Sequence, residues 1–466
     1  MIRLPRRSRL PRWLLTLVLL GAVPFVAQAS PYTVTFVPGV HDADRPAFKL
    51  DASGAPHVVW HALEASPILL RYATFDGADW TIEIADTIEI GPSAPSLQLA
   101  SGMPVVVDTR YQWALHYAER TAPGTWSTSW AVTPHGCRST VLALDAAGTR
   151  HIFYGSPLFE IAWAYRTPQG TWPGAIILPD QNSAQYASTG LAADAAGDLH
   201  ACFQLLNTIS TPKLQYAERI AGTWHFPEPV ATISGDAGAS LEIGPDGLTT
   251  ISAQYAVQGV GLFHRDAPNN WSFEAIDAFG TGPTSLAWDA EGRAHVAYVK
   301  AGAIWQAVRP IDGAWVKEPV TVPGAGESDA WPRLALDPDG DASIAFVRSS
   351  PREGGGTERA LGIAHDVKTL AADPDATTDK ALAIDWIAPQ PSRGAGRIAL
   401  RLAQPAHVTL ELVAASGRRV AAKALGPLPA GPSTIAWDPG ALAPGVYLLR
   451  ALDERGAFVT RRWVAL

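Results

Sequence analysis

Cysteine and methionine are nearly missing from this chain, with two of each in 466 residues. Cys137 and Cys202 fit no Cys-x-x-Cys or mixed Cys/His spacing, which excludes a thiolate-built zinc or iron–sulfur centre. Sequence distance alone does not say whether they pair. Charge is also sparse. Only 17% of residues are Asp, Glu, Lys or Arg, the formal net charge is −8, and beyond the first dozen residues no Lys/Arg cluster appears. That balance argues against nucleic acid and against an anionic membrane as partners. Also absent are a P-loop, a Ser-His-Asp signature and a His-Glu-x-x-His zinc site. No cofactor and no metal site are expected.

Long apolar runs are lacking too, apart from one at the start. Arg3, Arg6, Arg7, Arg9 and Arg12 precede the stretch from Trp13 to Val26, which ends in Ala27-Gln28-Ala29. A basic segment, a short apolar core broken by Pro24 and a small-x-small site read as a secretory signal peptide over residues 1–29. Its removal takes away five Arg and no acid, so −8 becomes −13. A secreted or outer-surface protein is expected.

What the sequence does have is a sentence repeated at a period of roughly 48 residues. Leu50-Asp51-Ala-Ser-Gly54-Ala-Pro-His57, Leu144-Asp145-Ala-Ala-Gly148-Thr-Arg-His151, Ala193-Asp194-Ala-Ala-Gly197-Asp-Leu-His200 and Trp288-Asp289-Ala-Glu-Gly292-Arg-Ala-His295 are copies of one unit. An apolar run leads into the Asp-x-x-Gly turn and a His-led run leaves it. An aromatic-Ala strand follows (Tyr72-Ala73, Tyr117-Ala118, Trp163-Ala164, Tyr216-Ala217), then a Trp-led strand (Trp80, Trp126, Trp172, Trp224, Trp271, Trp315). Four short alternating runs closed by Gly, Pro or Asp describe a four-stranded blade, so the fold class is all-β, a β-propeller.

Seven first strands start near Ala47, Pro95, Thr140, Thr189, Ser240, Ser285 and Arg333, but only six Trp-led strands follow. The missing one is expected at the other end. The segment from Tyr32 to Gly39 parallels that from Trp315 to Gly324, so residues 32–37 are expected to complete blade seven within a propeller of residues 30–367.

The turns before the Trp strands, Asp76-Gly77-Ala-Asp-Trp80, Gly124-Thr-Trp126, Gly170-Thr-Trp172 and Gly222-Thr-Trp224, resemble the Asp-box of sialidases and related propellers, with the Ser-x-Asp half lost or altered. The resemblance implies a propeller of that kind. A sialidase-like glycoside hydrolase or lyase would further need an arginine cluster and an acid or nucleophile pair. Arg45, Arg110, Arg138 and Arg348 fall near loops without a spacing that marks a triad.

A catalytic group is needed once per site, whereas Asp51, His57, Asp145, His151, Asp194, His200, Asp289 and His295 recur at equivalent places. Recurrence favours a structural role, a His bonded to its own hairpin, over repeated ligand pockets. The Trp residues read likewise as packing between blades rather than as sugar platforms. Asp337-Pro-Asp339-Gly340-Asp341 looks like a calcium loop, but it occupies the turn position and has no downstream Glu to complete one. Ligand recognition belongs where the repeat breaks down. The face opposite the Asp-x-x-Gly turns carries the irregular loops, and there Arg110, Tyr111, Trp113, Tyr186 and Trp331 set aromatics beside polar groups suited to a neutral sugar or peptide.

Past the ring, residues 368–383 read as a polar linker, and residues 384–466 give short alternating runs of a small β-sandwich. Pro389-Gln-Pro391, Val408 to Leu412, Gly417-Arg-Arg-Val420, Ala430-Gly431 to Trp437 and Leu442-Ala-Pro-Gly-Val-Tyr447 resemble, in order, the C-terminal sorting domain of type IX secretion cargo. The pattern is similar to the immunoglobulin-like domain of flagellar hook-capping proteins as well. Gln390 stands where the family has Asn. The resemblance implies an Ig-like fold and a partner in secretion machinery. Together these readings give a monomeric, secreted or cell-surface binding protein whose propeller recognises a glycan or surface partner. A hydrolase or lyase and a protein-interaction scaffold are the alternatives.

Overall fold

A computed structural model of the chain describes residues 32–465 except 78, 89–93, 111–113, 131–136, 138, 157–159, 179–184, 207–213, 226, 234–237, 256–257, 310–313, 353, 367–381, 389–395, 403, 415–418, 441, 443–444 and 455–457. The signal-peptide segment and most of the linker therefore lie outside the described residues. Two compact units, residues 1–367 and 368–466, make up the chain.

The first unit is all β. Seven antiparallel sheets follow in order, blade 1 at residues 43–88, blade 2 at 96–130, blade 3 at 139–178, blade 4 at 185–231, blade 5 at 240–277, blade 6 at 281–319 and blade 7 at 328–366. The first strand of each blade packs against the first strand of the next, and Ser328–Leu336 of blade 7 returns to Ala43–Leu50 of blade 1. The sheets thus form a closed propeller. Blade 7 supplies three strands of its own, and Tyr32–Phe36 adds the fourth by pairing antiparallel with Thr357–Asp366, Tyr32 opposite Asp366 and Phe36 opposite Gly362. That pairing leaves the outer edge of the last blade capped by the first described strand.

Alternation along each strand sends every second side chain to one side of its blade, so each seam between blades is filled from both sides. The seam between blades 7 and 1 buries Val37, Val40, Phe48, Trp60, Val347 and Ile363 together. The seam between blades 3 and 4 does the same with Phe153, Trp163, Leu199 and Phe203. Cys137 and Cys202 are both buried, in different seams. Burial pushes the Cys137 thiol well up, so it packs as a small hydrophobe. Closeness of packing also dictates Gly362. A Cβ there would meet the Phe346 ring at 2.4 Å.

The Asp-x-x-Gly turns are closed by the Asp itself. Asp51 Oδ1 accepts from the N–H groups of Ser53 and Ala55, and Gly54 sits at φ +83° where other residues are strained. Blade 2 departs from the repeat, turning through Ser101-Gly102 with both φ angles positive, the I′ pattern of a two-residue hairpin.

Four inner strands begin well before the expected Ala47, Thr189, Ser285 and Arg333, at Ala43, Gln185, Thr281 and Ser328. Arg45-Pro46, Gly282-Pro283 and Trp331-Pro332 signal a break in sequence, yet pairing resumes beyond each through a bulge. Asp44 pairs with His61 and Ala47 with Val59, so one residue is extra, and Ala330 with Val347 followed by Arg333 with Ala345 repeats the step in blade 7. The bulge is what lets an inner strand carry proline. Expected strand openings at Trp172 and Trp315 also shift, because the strands there start at Ala175 and Val316.

In the second unit, Leu382–Ala388, Gly396–Leu402 and Gly431–Trp437 form one sheet, and Ala406–Ala414, Arg419–Leu428, Gly445–Asp453 and Phe458–Ala465 another. Ile398, Leu400, Leu410, Leu412, Leu449 and Trp463 from both sheets share one core with no exposed surface. The first strand starts two residues before the expected 384.

Candidate functional site

The recurrent histidines sit on the second strand of their blades, three residues after the turn Gly. The Nε2 atoms of His151 and His295 lie 3.1 and 3.0 Å from Oδ2 of Asp145 and Asp289, while those of His57 and His200 stand off at 3.5 and 3.6 Å from Asp51 and Asp194. The other nitrogen faces the third strand. Nδ1 of His57 lies 2.6 Å from the Tyr72 hydroxyl, Nδ1 of His200 lies 2.5 Å from that of Tyr216, and Nδ1 of His295 accepts from Gln306 Nε2 at 2.9 Å. For His295 this suits the neutral imidazole with its proton toward Asp289. Burial pushes His57, His151 and His200 below the ordinary histidine value against the pull of their carboxylates. In blade 3 the aromatic is Trp163, which has no hydroxyl, so buried Nδ1 of His151 has no partner and the ring stacks on the indole instead.

Blades 5 and 7 lack this His, and a hydroxyl takes its place. Thr250 and Ser343 stand three residues after Gly247 and Gly340, and each meets a histidine from its register partner on the third strand, His264 at 3.4 Å and His365 at 2.7 Å. The pair survives with its members exchanged across the strands.

The tryptophans are bonded as well as packed. Glu83, on the outer strand of blade 1, accepts from Trp126 Nε1 of blade 2 at 2.8 Å, from Gly124 N at 2.9 Å and from Arg120 at 2.5 and 3.0 Å. Glu228 of blade 4 receives the same set from blade 5, namely Trp271 Nε1, Asn269 N and Arg265. Glu274 takes Trp315 Nε1 and Arg309 of blade 6. The guanidinium of each gripping Arg also covers the third-strand aromatic of the preceding blade in two of these seams, Arg120 over Tyr72 at 5.4 Å and Arg265 over Tyr216 at 4.8 Å. The motif Trp-x-x-Glu, in Trp80 to Glu83 and Trp271 to Glu274, was the available sequence signal for these clamps. Asp337 of the calcium-like string spends Oδ1 on the N–H groups of Asp339 and Asp341.

Of the residues expected on the irregular face, Tyr111 and Trp113 lie outside the described residues. Arg110 and Tyr186 are placed in strands Met103–Arg110 and Gln185–Ala193 by their backbones alone. Arg138 also lies outside, and Arg348 is consumed by Asp329, Nε and the NH2 nitrogen donating at 2.7 and 2.8 Å. Trp331 is the described member. It sits in the bulge of the blade 7 inner strand, at φ +59°, half-buried, at the end remote from the Asp337 turn. Its counterpart in blade 1 is Arg45, also at positive φ, whose guanidinium lies over the Trp331 ring at 5.1 Å.

Arg333 links the two bulges. Its Nε donates to Pro46 O at 3.1 Å and its NH1 nitrogen to Pro332 O at 3.2 Å, the carbonyls just after the two strained residues. A second polar group at this end also went unread in the sequence. His61, with no exposed surface, places Nε2 2.9 Å from buried Asp108 across the seam between blades 1 and 2, and its Nδ1 has no partner. Beside it His116 of blade 2 pairs back to Asp86 of blade 1. Among the described residues, no group of three or more His, Cys, Asp or Glu is arranged to hold a metal.

No family model and no curated protein matches this chain. Solved structures similar to it are propeller-like proteins. One is a protein of unknown function from Dyadobacter fermentans, at 15% identity and TM-score 0.45, covering 74% of this chain and 100% of that one. The lectin of Aleuria aurantia, solved with Fucα1-6GlcNAc, matches at 11% identity and TM-score 0.38 over 57% of this chain and 93% of its own. PorZ, a surface component of the type IX secretion system of Porphyromonas gingivalis, matches at 13% identity and TM-score 0.36 over 88% of this chain and 64% of its own.

Proposed function

We propose that this chain is an extracellular or cell-surface binding protein, whose propeller recognises a glycan or surface partner on its irregular-loop face and whose residues 384–466 direct secretion or attachment. The carrying observation is Trp331. A large aromatic held half-exposed at positive φ costs about 1–3 kcal/mol of backbone strain, and the same strained bulge recurs at Arg45 in the adjoining blade. Part of the Trp331 ring packs against the seam between blades 7 and 1, and the rest stays exposed at the inner rim beside Arg45. Display of an aromatic–cation pair at the inner rim gives it a use. Arg110, Tyr111, Trp113 and Tyr186 are proposed to widen the same face.

A glycan array probed with the full chain and with Trp331→Ala tests the reading. The chain is expected to bind a restricted set of glycans, and Trp331→Ala to weaken that binding at least ten-fold while leaving the thermal midpoint nearly unchanged. Binding that survives Trp331→Ala intact sinks the assignment of the site, and a blank array together with no binding to intact cell surfaces sinks the function. For the C-terminal unit, a chain ending at residue 383 is expected to stay with the cells. Its appearance in the medium at wild-type level refutes the sorting role.

A further inference from the structure

The inner rim where blades 7 and 1 meet contains a cation that the protein itself leaves uncompensated. Arg120, Arg166, Arg265 and Arg348 each end on a carboxylate, as a guanidinium in a desolvated place generally must. Arg333 does not. Its donors reach two backbone carbonyls, Pro46 O and Pro332 O, and among the described residues it forms no ion pair. Two carbonyl dipoles use two of its five N–H groups and neutralise no charge.

Arg45 deepens the imbalance. It stands in the equivalent bulge of the neighbouring blade, its Nε is buried without a hydrogen-bond partner, and its carboxylate contact, to Asp44, is loose at 3.6 Å. That same Asp44 is shared with Arg359 at 3.9 Å. Burial, with Arg45 adding to it, pushes the Arg333 guanidinium down to about 10 from its ordinary 12.5, still fully charged at neutral pH. Arg45 lies over the Trp331 ring with its side chain 42% exposed, Arg333 reaches the carbonyl of Pro46 next to it, and the one carboxylate near Arg45, Asp44, is shared with Arg359 and not with Arg333. An oxyanion arriving from outside gives both guanidinium groups a charge partner.

We propose that the Arg45–Arg333 pair is the subsite for a single anionic group, carboxylate or sulfate, on a glycan that is otherwise neutral. This inference rests on the recognition reading above and names the ligand class for it. The restriction to one compact charge follows from the chain's own formal charge of −8, which repels an extended polyanion while two arginines at one rim attract a localised anion. Bidentate pairing with a guanidinium fixes the anion's orientation, and Trp331 is then placed to pack against the ring that bears it. An acidic peptide has the charge but no pyranose face for the indole.

The test uses the full chain and matched ligands: a galactose-terminated oligosaccharide, its galacturonate counterpart and its 6-sulfate counterpart, with an Asp/Glu peptide as the fourth arm. The wild-type chain is expected to bind one or both acidic sugars at least ten-fold more tightly than the neutral one, with the preference shrinking as salt is raised. The carboxylate and sulfate arms say which oxyanion is preferred. Arg333→Gln and Arg45→Gln should each cut the preference several-fold while sparing neutral binding. Equal binding of neutral and acidic sugars by the wild type overturns this inference and leaves glycan recognition standing. Preference for the peptide, or a preference untouched in both variants, overturns it as well. Absence of all binding overturns both readings. Because the wild-type comparison needs no variant, the outcome does not depend on either substitution folding.

Discussion

Replacing Glu83 by Gln removes one charge and almost no volume, which isolates the electrostatic part of an inter-blade clamp. The Glu83 side chain is 8% exposed and that of Arg120 12%, and the carboxylate accepts four hydrogen bonds, all from blade 2. Burial pushes the Glu83 carboxyl up, but the bonds from Arg120, Gly124 N and Trp126 outweigh it and leave it below the usual glutamate value. A Gln at this place keeps one acceptor oxygen. It also turns an NH2 group toward the guanidinium and leaves Arg120 charged and unpaired, a loss of about 3 kcal/mol on the scale of broken buried pairs. For a ring of this size that is a drop of roughly 4 °C in thermal midpoint. Scanning calorimetry of the full chain, following the propeller transition, reads it directly. The double change Glu83→Leu with Arg120→Leu removes both charges and should cost about 1 kcal/mol or less beyond the loss of the Tyr72 stack. A midpoint for Glu83→Gln within about 1 °C of wild type, or a double variant worse than the single, refutes the claim that these clamps hold adjacent blades.

Two further outcomes follow from the ring's construction. Because His57, His151 and His200 are held below 6.5 by burial, the unfolded chain takes up protons that the folded chain refuses; propeller stability should be full above about pH 6.5 and fall as pH drops through the folded values, and urea midpoints that stay flat from pH 7.5 to 5 would contradict this. Removing residues 31–40 strips the strand opposite Thr357–Asp366 together with buried Tyr32, Val37 and Val40, so the whole propeller transition should fall by about 10 °C or more, and unchanged unfolding would show that the closing strand is dispensable.

Much of the ring was legible because its signals are local. Asp-x-x-Gly turns, two-residue alternation and the spare strand at Tyr32 are each written within ten residues, and turn chemistry decides them. What stayed hidden depends on registers between distant strands. Nothing in the local sequence of Thr250 or Ser343 says that His264 or His365 will arrive opposite, and a search for the turn-proximal His misses both. Proline misled for a related reason. Pro46 and Pro332 suggest that a strand starts after them, whereas the ladder continues through a bulge. The rim shows the same division: Trp331 stands out as an aromatic in an irregular stretch, but its neighbours Arg45 and Arg333 are brought together only when blade 7 meets blade 1. His61 carries no local mark either, and it meets Asp108 only across the seam between blades 1 and 2.

The pairing of Tyr32 with Asp366 also sets a schedule. A chain emerging from a ribosome or threaded through a pore from its N-terminus produces its closing strand first and the strand that receives it last. Until Asp366 arrives, six sheets can form in sequence while the first segment waits unpaired, and the barrier to closing so long a loop falls on the final step. That ordering keeps the ring open until its last blade has been made.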